Sequence, residues 1–374
     1  MSIPVIDISP FLSSDRAKLS PEALQTVESL YDACTTWGFF QITGHNISPT
    51  VVSDLETYTK DFFALPLEEK LALHVRNGGV AWRGYMPFEG ERTHGKLDAK
   101  EGLYVGPDHP SDHPLTGMPL HGANQFPDTA LPLMRHAILS YLDAIVDLGK
   151  SLTDAFSLAL GLEREKLRDV WLTPEPVSIM RCFRYSVPEV NSSAEANSTN
   201  DAKVNEQGIG EHTDFGYLTI LKQETEGLQV YSKDHGWVPV PVIKDAFVCN
   251  VGDMFDMLTN GRFKSVPHRV VLRPGSPARL SWPFFFDFSW NAPMRRLHLP
   301  HPHGELNLPQ ELTEEEKEEA RVRWTGTTFK DVGGEWWQYL AKKVMKVFPD
   351  LKLPDFENNV APSSRFAIAV PTGN

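Results

Sequence analysis

One histidine of the chain, His212, stands two residues before an aspartate, Asp214. In an extended segment, residues i and i+2 point to the same side, so both side chains can face one cavity. An imidazole and a carboxylate are two of the three ligands of a 2-His-1-carboxylate triad, which leaves metal positions open and suits non-haem Fe(II). For the pair alone, the alternative is a surface hydrogen bond between the two side chains.

The third ligand of such a triad must come from elsewhere in the fold, and His268, 54 residues after Asp214, is the candidate. Asn260 and Gly261 form a tight-turn signal before it, and the apolar run 270–272 continues after it as a predicted strand. A histidine at the point where a turn leads into a strand can project into the mouth of a barrel. The other interpretation is a rim histidine that is hydrogen-bonded to a carbonyl.

Arg279 and Ser281 share one face of another predicted strand, next to the very apolar segment 282–286. A buried arginine needs a partner anion. Its planar guanidinium can hold a carboxylate through two hydrogen bonds, and a serine hydroxyl can add a further one. Arg279 therefore either pairs with an internal acid or binds a small dicarboxylate.

The elements that position these residues form a mainly helical part of the chain and a part rich in short strands. Helix-start signals precede residues 21 and 49, and residues 131–160 carry apolar residues at the helical period, which predicts the longest helix. From residue 177, short apolar runs alternate with turns, a pattern typical of a β-sandwich or barrel. A last helix is predicted for about residues 330–348.

The change of pattern near residue 174 predicts two regions. Residues 1–174 would form a mainly helical N-terminal region packed on the core, and residues 175–374 the β core with its C-terminal helix. Residues 191–207 are too polar to pack and are expected to form a surface insertion of unassigned role. The acidic segment 305–323 is expected to be a solvated loop leading into a helix. His301 and His303, just before it, are interpreted as loop residues rather than metal ligands.

Charge and cysteine content exclude several classes of protein. The chain has 36 basic and 49 acidic residues, a net charge of -13, and an acidic surface repels nucleic acid and anionic membranes. Three scattered cysteines, Cys34, Cys182 and Cys249, fit a reducing compartment. Without a secretory signal or an apolar run of ~20 residues, a cytoplasmic protein is expected. No protein partner is implied.

Taken in order, the His-x-Asp pair, the run from Asn260 to His268 and the Arg-x-Ser pair resemble the isopenicillin-N-synthase-like family of Fe(II)- and 2-oxoglutarate-dependent dioxygenases. The resemblance covers most of the chain. Further matching motifs are residues 3–7, 37–45, 62–66, 83–85 and 250–253. Each motif alone is modest, but together and in this order they are highly specific.

The resemblance implies a fold and a set of site residues. The fold is mainly β with flanking helices (α+β), with a double-stranded β-helix, or jelly-roll, core. The resemblance implies that the iron ligands are His212, Asp214 and His268. It also implies that Arg279 and Ser281 bind the distal carboxylate of 2-oxoglutarate. Tyr185 would help to hold the co-substrate, although the prolines that usually follow this tyrosine in the family are replaced by Ser186 and Val187. No catalytic residue is expected beyond the metal ligands.

The implied function is oxidation, chiefly hydroxylation, of a small-molecule substrate in specialised metabolism. Fe(II) is the cofactor, 2-oxoglutarate and dioxygen are co-substrates, and succinate and CO2 are released. Two alternatives are a 2-oxoglutarate-independent oxidase or cyclase of the same fold and a non-catalytic ligand-binding module. Succinate formation separates the first alternative, and the complete triad argues against the second.

The substrate itself is not predicted. Tyr217 and the aromatic stretch 284–290 are candidates for lining an apolar pocket. If that stretch is extended, Phe284, Phe286 and Phe288 share one face and Phe285 takes the other. The pattern does not decide which face looks inward.

Overall fold

The computed structural model describes residues 2–16, 18–93, 95–186, 207–273, 277–299, 312–327 and 332–347. Within these ranges the chain forms β-sheets with flanking helices, and the mixture of the two that the sequence predicts is confirmed. No hydrogen bonding joins the two larger sheets into a closed barrel in the described part of the chain. Residues 191–206 of the predicted insertion 191–207, residues 305–311 of the predicted acidic segment 305–323, and His301 and His303 lie outside the described residues.

The helices begin where proline and capping residues favour them. Ser20 accepts a hydrogen bond from the Ala23 backbone N–H, with Pro21 in the first turn. The α-helices in the described ranges are α1 (Ser9–Ser13), α2 (Pro21–Thr36), α3 (Pro49–Ala64), α4 (Leu67–Ala72), α5 (Met134–Ala159), α6 (Lys166–Trp171), α7 (Asp253–Leu258), α8 (Glu314–Thr325) and α9 (Trp336–Val347), and a 3-10 helix spans Val75–Ala81. The predicted long helix is α5, and α9 lies within the predicted C-terminal helix.

Fourteen strands lie in the described ranges, and the predicted C-terminal run of short strands is confirmed. They are β1 (Val5–Asp7), β2 (Phe39–Thr43), β3 (Gly84–Met86), β4 (Arg92–Thr93), β5 (Lys96–Leu97), β6 (Lys100–Val105), β7 (Pro176–Tyr185), β8 (Gln207–His212), β9 (Leu218–Gln223), β10 (Leu228–Ser232), β11 (Gly236–Pro239), β12 (Phe247–Val251), β13 (His268–Val271) and β14 (Arg279–Ser289).

The strands form a large and a small sheet, with β4 and β5 as a separate pair. The large sheet has the order β1-β2-β12-β9-β14-β7-β6-β3, and the small sheet has the order β11-β10-β13-β8. Strands β1, β2, β3 and β6 belong to the N-terminal region yet join the same sheet as β7, β9, β12 and β14. The division at residue 174 stays a prediction, and the N-terminal region is less purely helical than its sequence pattern indicates.

Strand β14 shows how the layers are arranged. Its even-numbered residues face the helices: the Trp282 indole donates to Thr59 of α3 at 3.1 Å, and Gly149 of α5 leaves room for the Phe286 ring. Its odd-numbered residues line a cavity between the two sheets. Phe284, Phe286 and Phe288 therefore pack under the helices, while Phe285 faces the cavity.

None of the helices in the described part of the chain combines the length and the apolar character that crossing a bilayer requires.

Candidate metal and co-substrate site

Two strands of the small sheet bring the two predicted histidines together. His212 ends β8 and His268 begins β13, and the two residues are direct partners in the antiparallel pairing. Residues opposite each other in such a ladder place their side chains close together on the same face. The imidazole centroids are 4.2 Å apart. The pairing of β8 with β13 thus brings together two histidines that are far apart in the sequence.

Asp214 completes the group from just beyond the end of β8. Its Oδ1 lies 3.9 Å from His212 Nε2 and 3.7 Å from His268 Nε2. The three potential ligand atoms all lie within 4.8 Å of one another. A single ion between them could therefore contact all three with small side-chain adjustments.

Backbone carbonyls fix the orientation of both imidazoles. His212 Nδ1 lies 2.8 Å from the Gly210 carbonyl oxygen, and His268 Nδ1 lies 3.4 Å from that of Val266. Because a carbonyl only accepts hydrogen bonds, these contacts assign the ring proton to Nδ1 and leave the Nε2 lone pair free. Outer hydrogen bonds of this kind hold a metal-binding histidine in the correct tautomer.

Neighbouring strands of the large sheet hold the carboxylate in the same way. Asp214 Oδ2 accepts hydrogen bonds from the Thr219 hydroxyl at 2.6 Å and from the Asn250 amide at 2.8 Å. Thr219 lies on β9 and Asn250 on β12. Hydrogen bonds from the protein thus hold Oδ2, and Oδ1 is the carboxylate oxygen that faces His212 and His268.

The electrostatics of the site favour the protonation states that bind metal. Burial, followed by the neighbouring His268, lowers the pKa of His212 to about 3. Burial alone would raise the pKa of Asp214, but the two histidines and the hydrogen bonds from Asn250 and Thr219 outweigh it and lower the pKa. A neutral imidazole and an ionised carboxylate are the ligating forms.

This donor set fits ferrous iron. Two imidazole nitrogens and one carboxylate oxygen on one side of an ion are the ligands of non-haem Fe(II) sites, which keep the opposite positions open for other molecules. The His212 side chain is 30% exposed, and all three residues line the cavity between the sheets. The open side of the triad therefore faces the space where such molecules would bind.

Arg279 lies in the same cavity and has no acidic partner among the described residues. Its side chain is buried, its Nε donates to the Thr225 carbonyl at 3.2 Å, and its Nη2 donates to Gln223 Oε1 at 3.3 Å. Nη1 is buried, and among the described residues it has no hydrogen-bond partner and no carboxylate lies within 4 Å of the guanidinium. Of the two alternatives that the sequence leaves open, an internal acid is thereby excluded within the described ranges.

Tyr185 contacts this guanidinium, and Ser281 contacts Tyr185. Tyr185 is the direct partner of Arg279 across β7 and β14, and the guanidinium carbon lies 4.9 Å from its ring centroid. The Ser281 hydroxyl donates to the Tyr185 hydroxyl at 3.4 Å. Burial lowers the pKa of Arg279, with Tyr185 acting in the opposite direction. The group stays charged at neutral pH, because a guanidinium does not titrate there.

One cavity of about 1270 Å³ holds all six of the predicted site residues, His212, Asp214, His268, Arg279, Ser281 and Tyr185. Tyr217 also lines it, as the sequence suggests, and its hydroxyl donates to Thr153 at 2.9 Å. Within the stretch 284–290, Phe285 is the aromatic residue that lines the cavity, and Asp287 lines it as well.

Charged residues on another wall of the cavity were not predicted. Lys100 Nζ lies 3.0 Å from Glu91 and 2.7 Å from Asp98, and Arg181 lies 3.8 Å from Glu91. Burial alone would raise the pKa of Glu91, but the charges of Lys100 and Arg181 lower it to about 2. These residues come from separate segments with no shared motif, so no local sequence signal marks them.

The fold and the site define a class of protein, an iron-dependent oxygenase with a co-substrate pocket, and comparisons with known proteins agree. Residues 3–129 match the family described as non-haem dioxygenase in morphine synthesis N-terminal, and residues 178–288 match the 2OG-Fe(II) oxygenase superfamily. A probable iron/ascorbate oxidoreductase of Dictyostelium discoideum is 37% identical over 94% of this chain and 96% of its own length.

Two further similarities are informative. A homoarginine-6-hydroxylase of Glycine max is 32% identical over 79% of this chain and 88% of its own length. The crystal structure of a full-length Neurospora crassa protein in complex with alpha-KG has a TM-score of 0.68 at 22% identity, covering 91% of this chain and 95% of that one, which shows a shared fold.

The chain belongs to the 2OG-Fe(II) oxygenase superfamily. It is a non-haem iron, 2-oxoglutarate-dependent oxidoreductase, and Fe(II), 2-oxoglutarate and dioxygen are the cofactor and co-substrates of its family.

Proposed function

We propose that His212, Asp214 and His268 bind the ferrous ion and that Arg279 and Ser281 bind the distal carboxylate of 2-oxoglutarate. The observation that carries this assignment is the buried Arg279 Nη1, which has no hydrogen-bond partner among the described residues and lies in the same cavity as three converging metal donors. A guanidinium with a free N–H can hold a carboxylate with charge-assisted hydrogen bonds. Tyr185 positions Arg279 and Ser281 by its contacts with both.

When bound, the ferrous ion supplies the activation of dioxygen that couples oxidation of 2-oxoglutarate to succinate and CO2 with oxidation of the substrate. The protein's own part is positioning. Arg279 anchors the far end of the co-substrate, and Thr219 and Asn250 hold Asp214 so that Oδ1 stays directed at the metal position. The apolar side chains of the cavity exclude water from the reacting groups.

The arrangement of the two larger sheets supports a double-stranded β-helix core. We propose that the small sheet and the facing part of the large sheet form the double-stranded β-helix core within residues 175–374. Residues 1–174 then form the region that packs on this core and contributes edge strands to it. The cavity between the two sheets is the interior of the jelly roll.

The reaction that we propose is hydroxylation of a small molecule bound against the wall of Glu91, Lys100 and Arg181. The similarity to a homoarginine-6-hydroxylase supports this type of reaction, and the volume of the cavity is enough for 2-oxoglutarate together with a small substrate. The mixed charges on that wall favour a polar substrate over a purely apolar one.

Iron binding and succinate release test this proposal. Wild-type protein should bind one equivalent of Fe(II) at the triad and release succinate when Fe(II), 2-oxoglutarate, dioxygen and a substrate from a screened collection are supplied. Asp214→Ala and His268→Ala should lose iron at this site and succinate release together, whereas His136→Ala, which changes an exposed histidine, should keep both. Unchanged iron binding in Asp214→Ala would refute the ligand assignment. Substrate oxidation without succinate would favour the 2-oxoglutarate-independent oxidase.

A further inference from the structure

A second group of metal-binding side chains lies away from the triad. His109, His113 and His121 belong to the segment between β6 and α5, and Glu175 directly precedes β7. We call these four residues the histidine cluster. His109 Nε2 lies 3.9 Å from Glu175 Oε1, and the ring centroid of His109 is 4.7 Å from that of His113 and 4.8 Å from that of His121.

Hydrogen bonding in the histidine cluster leaves ligand atoms free. His121 is 2% exposed, and its Nδ1 lies 2.9 Å from the Pro119 carbonyl oxygen, which assigns its proton to Nδ1 and leaves Nε2 with a lone pair. Glu175 Oε1 is buried, and its near neighbour among the described residues is His113 Nε2 at 3.0 Å, which forms an ion pair with it when His113 is protonated. Because a carboxylate oxygen has two lone pairs, Oε1 can also bind a cation.

The distances between ligand atoms in the histidine cluster can be compared with those in the proposed iron triad of His212, Asp214 and His268. One potential ligand atom from each of His109, His121 and Glu175 lies within 4.8 Å of the others, which is also true of the triad. The separation of His109 Nε2 from Glu175 Oε1 equals that of His212 Nε2 from Asp214 Oδ1, 3.9 Å in both cases. His109, His121 and Glu175 therefore meet the same distance limit for a shared ion as the triad does.

We propose that His109, His121 and Glu175 form a second metal site that takes a divalent transition metal of the zinc class. Imidazole nitrogens with one carboxylate oxygen suit Zn²⁺, whereas Ca²⁺ and Mg²⁺ prefer all-oxygen sets. With water as a fourth ligand, these donors give the tetrahedral coordination that zinc prefers. His113 lies beside Glu175 and positions its carboxylate.

The site would tie the segment between β6 and α5 to the start of β7. Leu120, adjacent to His121, lines the cavity of the active site, and its carbonyl accepts a hydrogen bond from Arg83 at 2.8 Å. The edge of His121 also packs on Trp290 at 5.4 Å between ring centroids. A metal here would hold one wall of the substrate cavity in place without entering the reaction.

Metal binding has one structural cost. The Gly122 N–H donates to His109 Nδ1 at 3.3 Å, which assigns the His109 ring proton to Nε2. Coordination through Nε2 requires that proton to move to Nδ1, with loss of this long hydrogen bond. The competing interpretation is a set of hydrogen-bonded histidines without a metal, and the test below separates the two.

The experiment compares metal stoichiometry in full-length proteins without a histidine tag. Zn²⁺ binding is measured by competition with a chromophoric chelator, and Co²⁺ absorption reports the coordination geometry. Wild type should bind two equivalents. The double variant His212→Ala/Asp214→Ala should bind one, with tetrahedral Co²⁺ absorption. Glu175→Gln added to that double variant should weaken binding by at least about tenfold, whereas His235→Ala, an exposed histidine, should not.

The outcomes separate the two sites. Absence of a tight equivalent in the His212→Ala/Asp214→Ala variant, or equal affinity after Glu175→Gln, overturns the second site and leaves the triad untouched. Two equivalents remaining in the double variant would instead contradict the triad assignment. Because Glu175 is partly exposed, Glu175→Gln is expected to fold, and an unchanged circular dichroism spectrum and unfolding temperature in the presence of chelator check this. His121→Ala provides a second variant with the same expected loss of Zn²⁺.

Discussion

Replacing Arg279 by lysine tests the co-substrate assignment. The guanidinium uses Nε and Nη2 to bind the Thr225 carbonyl and Gln223, and Nη1 remains for a ligand. A lysine keeps the charge, but its single nitrogen cannot hold both protein contacts and a carboxylate in the same geometry. Loss of one hydrogen bond to a charged group costs about 1.5–3 kcal/mol. The dissociation constant of 2-oxoglutarate should therefore rise about 10- to 150-fold.

The assay is an anaerobic titration of the Fe(II)-loaded protein with 2-oxoglutarate, followed by visible charge-transfer absorption. Iron affinity is measured separately and should stay within about threefold of wild type, a change of under 1 kcal/mol. Arg269→Lys is the matched control: Arg269 lies on β13, its guanidinium packs 4.0 Å from the Trp237 ring centroid, and it does not line the cavity. Wild-type affinity for 2-oxoglutarate in Arg279→Lys, or an equal loss in Arg269→Lys, would refute the reasoning.

Three other changes have defined outcomes. Thr219→Val removes the 2.6 Å hydrogen bond to Asp214 and should weaken Fe(II) binding about 10- to 100-fold in chelator competition. Burial raises the pKa of Asp287 from 3.8 to about 7. In chelator-treated protein, the contribution of Asp287 to the free energy of unfolding should therefore fall as the pH rises, by about 1.4 kcal/mol per pH unit between pH 4 and 7. Asp287→Asn should remove that loss in denaturant titrations. Gly38→Ala should lower the free energy of unfolding by about 1–3 kcal/mol or more, because φ is +63° and the new methyl group overlaps the Lys264 carbonyl.

Each of these predictions has a contrary result. Equal iron affinity in Thr219→Val would show that Asp214 needs no orienting partner. The sign for Asp287 follows from proton binding: between the two pKa values the folded state holds the extra proton, so stability falls as pH rises. Parallel pH profiles for wild type and Asp287→Asn would contradict it. An unchanged unfolding midpoint in Gly38→Ala would show that the turn relaxes.

The sequence predicted the elements that carry strong local patterns. The helical period of residues 131–160 and the proline starts at residues 21 and 49 correspond to α5, α2 and α3 within a few residues. Strand β8 was missed because Gln207–His212 contains a single large apolar residue, Ile209. Its pairing with β13, a long-range contact, holds it in place rather than its own propensity.

The candidate site could be predicted in part for the same reason. His212, Asp214 and Arg279 belong to short motifs whose spacing is visible in the sequence, His268 follows a turn signal that leads into a strand, and the family resemblance supplied Tyr185. The wall of Glu91, Lys100 and Arg181 and the histidine cluster depend on segments that meet only in the folded chain. The residues of this wall and of the histidine cluster follow no periodic pattern in the sequence. Their proximity can be recognised only once strand register and loop packing are known.

The most direct measurement of the central claim is a crystal structure of the protein with Mn²⁺ in place of Fe²⁺ and with 2-oxoglutarate, with anomalous data collected at the manganese edge. The account predicts an anomalous peak within bonding distance of His212, Asp214 and His268, and the distal carboxylate of 2-oxoglutarate on Arg279. A peak that contacts none of these three side chains, or a carboxylate bound away from the guanidinium, would contradict it.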